Sequence, residues 1–200
     1  MRRTAALLGR RAAGRKALPP LLFFTDPVRT PDPEAVAAAL PAGSAVVLRT
    51  FGAPDAEAQA HRLLAIARAR RLKLLIGADA ALAARVGAHG VHLPQRLAFR
   101  ARPLKAADPR WTVTAAAHSL RAARAALASG ADAAVVSVAF ASNSPSAGRA
   151  IGPVRLARLA RDAGGPVYAL GGINDATARR LADAGLVGLA AVEGLAGLRT

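Results

Sequence analysis

Three stretches of the chain share one grammar: GAHGVHL at 87–93, GADAAVV at 130–136 and GLVGLAA at 185–191. Each carries a glycine suited to ending a helix, then a turn and an apolar run of strand length. Glycine at a helix end supplies the positive φ needed there. A repeated unit of helix followed by buried strand confines the chain to a parallel α/β architecture, whose strands are covered on both faces. Extending the pattern gives eight strands: Leu21–Thr25, Ala45–Arg49, Lys73–Ile76, Val91–Leu93, Thr112–Ala116, Ala134–Val138, Val167–Leu170 and Leu189–Val192. Helices are expected at Pro33–Leu40, Asp55–Arg70, Ala80–Val86, Leu120–Ser129, Val154–Ala163 and Ala176–Ala184, with a loop and a short helix over Pro94–Pro109. Eight strands predict a closed (β/α)8 TIM barrel with a shortened last helix. An open doubly wound sheet is the runner-up, but the first strand-to-helix turn lacks the glycine-rich phosphate loop of such sheets.

The 200 residues are 53% hydrophobic, enough for one domain with a sizeable core. The basic segment Met1–Lys16 and the boundary Pro19-Pro20 suggest a flexible or helical extension over 1–18, followed by a single domain over 19–200. No run reaches the roughly 18 apolar residues of a membrane span. Cysteine is absent, and the four histidines show no ligand spacing. A net charge of +16 raises nucleic acid or an anionic membrane as partners. Lysine occurs only at Lys16, Lys73 and Lys105, so the charge is mostly arginine spread along helices, as on a solvated face. No cluster of aromatic and basic residues suited to stacking bases is present. We therefore expect neither a specific nucleic-acid partner nor a membrane, and leave a homodimer open.

The stretch Pro166–Leu195, PVYALGGINDATARRLADAGLVGLAAVEGL, reads as strand, glycine turn, helix, strand, glycine turn. Glycines after two adjacent parallel strands leave backbone N–H groups free and admit a ligand closely, as phosphate binding requires. Plain turn chemistry is the competing reading. In a barrel the strand ends share one pocket, which brings together Asp26, Arg49, His92, Gln95, His118, the Ser142–Arg149 loop, Gly171-Gly172 and Glu193-Gly194. Ser142, Asn143, Ser144 and Arg149 suit phosphate oxygens, with a solvated linker as the alternative. Arg49 ends a buried strand, so a bound anion or an acid such as Asp26 must neutralise it. His92 and His118 are candidates for moving protons or for a structural hydrogen bond. Asp79 reads as a helix cap. No paired carboxylates stand at metal spacing.

At these residues the chain resembles the thiamine phosphate synthase family, which includes the TenI-like thiazole tautomerases. The similarity runs from about Leu21 to Leu195 and rests on LLFFTD, VVLR, VGAHGVHLPQ, VTAAAHS, the loop after the sixth strand, YALGGI and GLAAVEGL. It implies a barrel that takes two phosphorylated substrates, a thiazole phosphate and a hydroxymethylpyrimidine diphosphate, the latter with magnesium. Pyrophosphate departs, and the thiazole nitrogen traps the pyrimidine cation. Carried over by position, Ser142 and Ser144 stand where the family has threonines, and Gly171-Gly172 at its phosphate turn. Glu193-Gly194 replaces a Ser-Ala pair. Arg49 matches the family's arginine, but Val47 replaces its glutamine, Phe51 a lysine, Ala116 a serine and Pro145 a lysine. Gly77-Ala78 replaces its Asn-Asp pair, and Arg96-Leu97 stands where the second acid belongs, so the magnesium carboxylates are unmatched. His92 keeps its place near the pyrimidine, and His118 matches a proton-transfer histidine of the tautomerase branch. The resemblance implies a cytoplasmic transferase with catalytic Arg49, His92 and His118. The alternatives are a TenI-like isomerase and a non-catalytic barrel that binds a phosphorylated metabolite.

Overall fold

The computed structural model describes residues 1–11, 18–142 and 148–195. Its strands are β1 (Leu21–Phe24), β2 (Ala45–Leu48), β3 (Lys73–Gly77), β4 (Gly90–Leu93), β5 (Thr112–Ala117), β6 (Ala133–Ser137), β7 (Val167–Leu170) and β8 (Gly188–Ala191). All pair in parallel in chain order, and β8 returns to β1 with Leu22 opposite Ala190, closing the expected barrel. The doubly wound alternative is excluded by that closure.

Alternation along the strands separates two layers of core. Leu22, Phe24, Val47, Leu75 and Val135 point into the barrel, where Tyr168 joins them. Burial pushes the Tyr168 phenol up from its usual range, and its hydroxyl donates to the Pro19 carbonyl at 2.6 Å. A buried aromatic of this kind needs such a partner for its polar tip. The intervening residues, among them Leu21, Phe23, Val46 and Leu74, face the helices. The apolar runs of the sequence thus describe strands buried on both sides.

The helices are α2 (Pro33–Ala39), α3 (Ala56–Arg70), α4 (Ala80–Val86), α5 (Ala101–Ala107), α6 (Leu120–Ala128), α7 (Pro153–Asp162) and α8 (Asp175–Arg179), after an N-terminal α1 (Arg2–Arg11). Their starts follow local chemistry. Asp32, Asp79 and Ser119 accept from the backbone N–H groups of Ala35, Leu82 and Ala122, and Gly87 ends α4 at φ +69°. The stretch expected as a helix through Ala184 is α-helical only to Arg179. Beyond it, Leu181 bonds back to Ala178 and Ala184 to Leu181. Ala178, Leu181 and Ala184 are the buried positions, and their spacing of three matches the tighter turn rather than 3.6 residues.

The basic N-terminal segment forms a helix that belongs to the barrel wall. Met1, Ala5 and Leu8 are buried along one side of α1, which packs on β8, β1 and α8. Arg2 donates to the Ala39 carbonyl of α2 at 2.9 Å, and the Met1 amino group pairs with Asp175 at the start of α8. Helix α1 therefore lies between α8 and α2, the place in the ring that follows β8. Burying a side chain such as Leu8 contributes about 1.5–3 kcal/mol.

Candidate functional site

A cavity of about 370 Å³ opens at the C-terminal ends of the strands. One wall is built by the turns after β7 and β8. Gly171 and Gly172 take φ values of +96° and +63°, conformations that L side chains rarely adopt. Gly172 has a second reason to lack a side chain: a Cβ there would stand 2.3 Å from the Ala141 carbonyl oxygen. The turn is fixed from below by Asn174, whose Oδ1 accepts from Ala176 and Thr177 while its own N–H donates to Thr177 Oγ1. The backbone N–H groups of Gly171, Gly172, Ile173, Glu193 and Gly194 donate to no acceptor among the described residues. All five residues line the cavity. Unpartnered amides grouped around a hollow form a binding place for an anion's oxygens.

A second wall comes from the ends of β1 and β2. Arg49 Nε donates to the Thr25 carbonyl at 2.7 Å, and its Nη2 to Asp26 Oδ2 at 3.2 Å. The same Oδ2 accepts from Arg29 Nη2 at 2.7 Å, and Oδ1 accepts from the Val28 and Arg29 backbones. Burial alone would push the Asp26 carboxyl up, but the hydrogen bonds and charge of Arg29, with the Val28 N–H, hold it down to about 2. Burial pulls the Arg49 guanidinium down from its usual value, against the charge of Asp26. Two aromatic rings cover Arg49: Phe24 at 5.8 Å and Phe51 at 5.1 Å from the guanidinium carbon. Of the two neutralising partners weighed for Arg49, the acid Asp26 is in place. Glu193 Oε1 stands 3.7 Å from Arg29 Nε, so its charge turns toward a cation.

His118 lines the cavity between these walls. Its Nδ1 lies 3.1 Å from Ser137 Oγ and 3.2 Å from the Ser137 carbonyl, and its backbone N–H donates to Gln95 Oε1. His92 is elsewhere: its ring is buried below the cavity, edge-on to Phe24, with Nδ1 2.9 Å from Thr114 Oγ1. Burial first, and the charge of Arg49 second, lower its pKa to about 3, so it is neutral at physiological pH. Ser142 lines the cavity. Arg149 is exposed and does not line it. Asn143 and Ser144 lie outside the described residues, as does Pro145. Sequence reasoning missed Arg29 and Ser137. The signal for Arg29 was the Asp-Pro-Val-Arg turn, in which an aspartate accepts from the backbone two and three residues on.

Magnesium favours carboxylate oxygens. The positions at which the family resemblance would set them carry Gly77-Ala78 and Arg96-Leu97. The nearby carboxylates are committed: Asp26 to two guanidiniums, Asp79 to the Leu82 N–H, and Glu193 toward Arg29. Among the described residues no three acidic, histidine or cysteine side chains cluster at metal distance. The donor set does not fit the ion.

The thiamine-phosphate synthase of Thiobacillus denitrificans (strain ATCC 25259 / T1) is 37% identical over 179 residues, covering 83% of this chain and 82% of that protein. A relative from Aquifex aeolicus (strain VF5) is 35% identical over 114 residues, 57% of this chain, which spans 61% of that relative's length. The structure of thiamine phosphate pyrophosphorylase from Pyrococcus furiosus superposes with a TM-score of 0.75 at 26% identity, over 88% of this chain and 87% of that one. The native KDPGal structure, 20% identical with a TM-score of 0.62 over 88% and 83% of the two chains, shares the fold. The family described as thiamine monophosphate synthase (TMP-TENI) matches residues 21–195, a span running from the first residue of β1 to the turn after β8. With the barrel and both glycine turns inside that matched span, the chain belongs to the thiamine monophosphate synthase family.

Proposed function

We propose that this chain joins hydroxymethylpyrimidine diphosphate to thiazole phosphate and releases pyrophosphate. The supporting observation is that one cavity is lined by two unlike sets of anion-binding groups. The free amides of Gly171, Gly172, Ile173, Glu193 and Gly194 form one set, and the guanidiniums of Arg29 and Arg49 the other. A reaction between a phosphate ester and a diphosphate needs two such places. The bond between the pyrimidine methylene and the diphosphate oxygen breaks, and its electron pair leaves with pyrophosphate. The thiazole nitrogen lone pair then closes the new C–N bond. The cavity's residues bind and orient: the amide wall with Ser142 takes the thiazole phosphate, and the arginines hold the diphosphate. The substrates are polyanionic metabolites, and we assign the work to the cytoplasm. None of the described helices is long and apolar enough to cross a membrane.

His118 favours a second reading. Its ring stands on the cavity wall beside Ser137, where it could move a proton on the bound thiazole, as a tautomerase would. One assay separates the two. Protein given both substrates should form thiamine phosphate, detected by chromatography. Interconversion of thiazole tautomers with no coupled product would support the isomerase instead, and no turnover of either kind would overturn both.

A further inference from the structure

Resting on that transferase reading, we propose that the departing diphosphate is held by a guanidinium pair, Arg29 and Arg49 bridged by Asp26, and that the reaction needs no divalent cation. Charge of the right sign is already built into the mouth of the cavity. The two guanidiniums share one carboxylate oxygen at 2.7 and 3.2 Å, leaving the three groups with one net positive charge. Each arginine is also tethered. Arg49 is fixed by the Thr25 carbonyl and its two aromatic covers. Arg29 is fixed by the turn whose backbone N–H groups Asp26 accepts.

The Nη1 end of each guanidinium has no acceptor among the described residues, and both residues line the cavity. Planar donors held in a fixed fork suit phosphoryl oxygens. Glu193 is the loose member of the group. It is 47% exposed and 3.7 Å from Arg29, so an incoming anion takes its place on that guanidinium. Among the described residues no cluster of carboxylates could hold a metal, and Asp26 is committed to the arginines. The work of neutralising the leaving group therefore falls to Arg29 and Arg49: as the C–O bond breaks, the charge that develops on pyrophosphate meets them.

The test uses the full chain, freed of metal with EDTA, in two arms. In the first, pyrophosphate alone is titrated into the protein calorimetrically without metal. Binding is expected, and Arg29→Gln should weaken it about tenfold, about 1.4 kcal/mol, while Arg29→Lys recovers part of the loss. In the second, thiamine phosphate formation is measured with EDTA and with added magnesium, and the rates are expected to agree within about threefold. Pyrophosphate binding or product formation that appears only on adding magnesium overturns the inference. Metal-free pyrophosphate binding that Arg29→Gln leaves unchanged overturns the role of the pair. Failure to form product under either condition sinks the transferase reading instead, and the titration still decides whether the guanidinium pair holds a diphosphate.

Discussion

Glu193 Oε1 faces Arg29 Nε at 3.7 Å, joining the turn after β8 to the turn after β1. This contact crosses the seam where the barrel closes, and it sets an acid beside the amides that would receive a phosphate. The guanidinium offsets that acid only while the two stay together. Glu193→Gln removes the competitor and leaves the backbone donors of Glu193 and Gly194 in place. Affinity for inorganic phosphate, measured by calorimetry, should rise by about threefold to tenfold, on the order of 1 kcal/mol. An unchanged or weaker affinity would mean that Glu193 helps the anion to bind rather than competing with it.

Gly172 is held by two constraints at once, a φ of +63° and the Ala141 carbonyl 2.3 Å from where a Cβ would lie. Gly172→Ala must therefore move the segment that carries Ser142. The expected cost is about 1–3 kcal/mol in urea unfolding, together with weaker phosphate binding. Gly43→Ala, with φ +81° but nothing near its Cβ, separates the backbone cost from the steric one and should leave phosphate binding unchanged.

His92 predicts an acid-sensitive fold. Its burial keeps it neutral down to about pH 3 in the native state, whereas the unfolded chain takes up a proton near the ordinary histidine value of about 6.5. The folded form thus binds fewer protons, so its stability is complete above about pH 6.5 and falls as the pH drops toward 3. The slope from this group is at most about 1.4 kcal/mol per pH unit. Unfolding free energies measured between pH 7.5 and pH 4 should show that loss, and His92→Gln should flatten it. A slope unaltered by the substitution would assign the acid sensitivity to other groups.

Leu8 is 1% exposed on the inner side of α1. If α1 completes the helical ring, Leu8→Ala leaves a cavity between α1 and the barrel and costs about 2–5 kcal/mol. A change under about 0.5 kcal/mol would mark α1 as an appendage.

Much of the frame was legible from residue pattern alone. Apolar runs such as Val167–Leu170 and caps such as Asp79 and Ser119 act through their immediate neighbours, so the sequence carries them directly. The glycine turn after β7 was legible for the same reason. What escaped depended on distant partners. The position of α1 is set by its contacts with β8, β1 and α2, far along the chain. The tight turns after Arg179 reflect buried positions spaced by three, which a helical periodicity hides. In the site, Arg49 and Asp26 were visible as strand-end residues, but the role of Arg29 rests on a carboxylate oxygen shared with Arg49, a three-body relation that spacing cannot express. His92 and His118 looked alike as strand-end histidines. The fold separates them, packing one against Phe24 and Thr114 and setting the other beside Ser137 on the cavity wall.

The central claim is that the free backbone amides beyond β7 and β8 receive the substrate's phosphate. The most direct measurement follows the amide signals of isotope-labelled protein by NMR during titration with thiazole phosphate. Saturable shifts are expected at Gly171, Gly172, Ile173, Glu193 and Gly194, with the non-phosphorylated thiazole alcohol producing far smaller ones. Tight binding that leaves those five signals in place would contradict the claim.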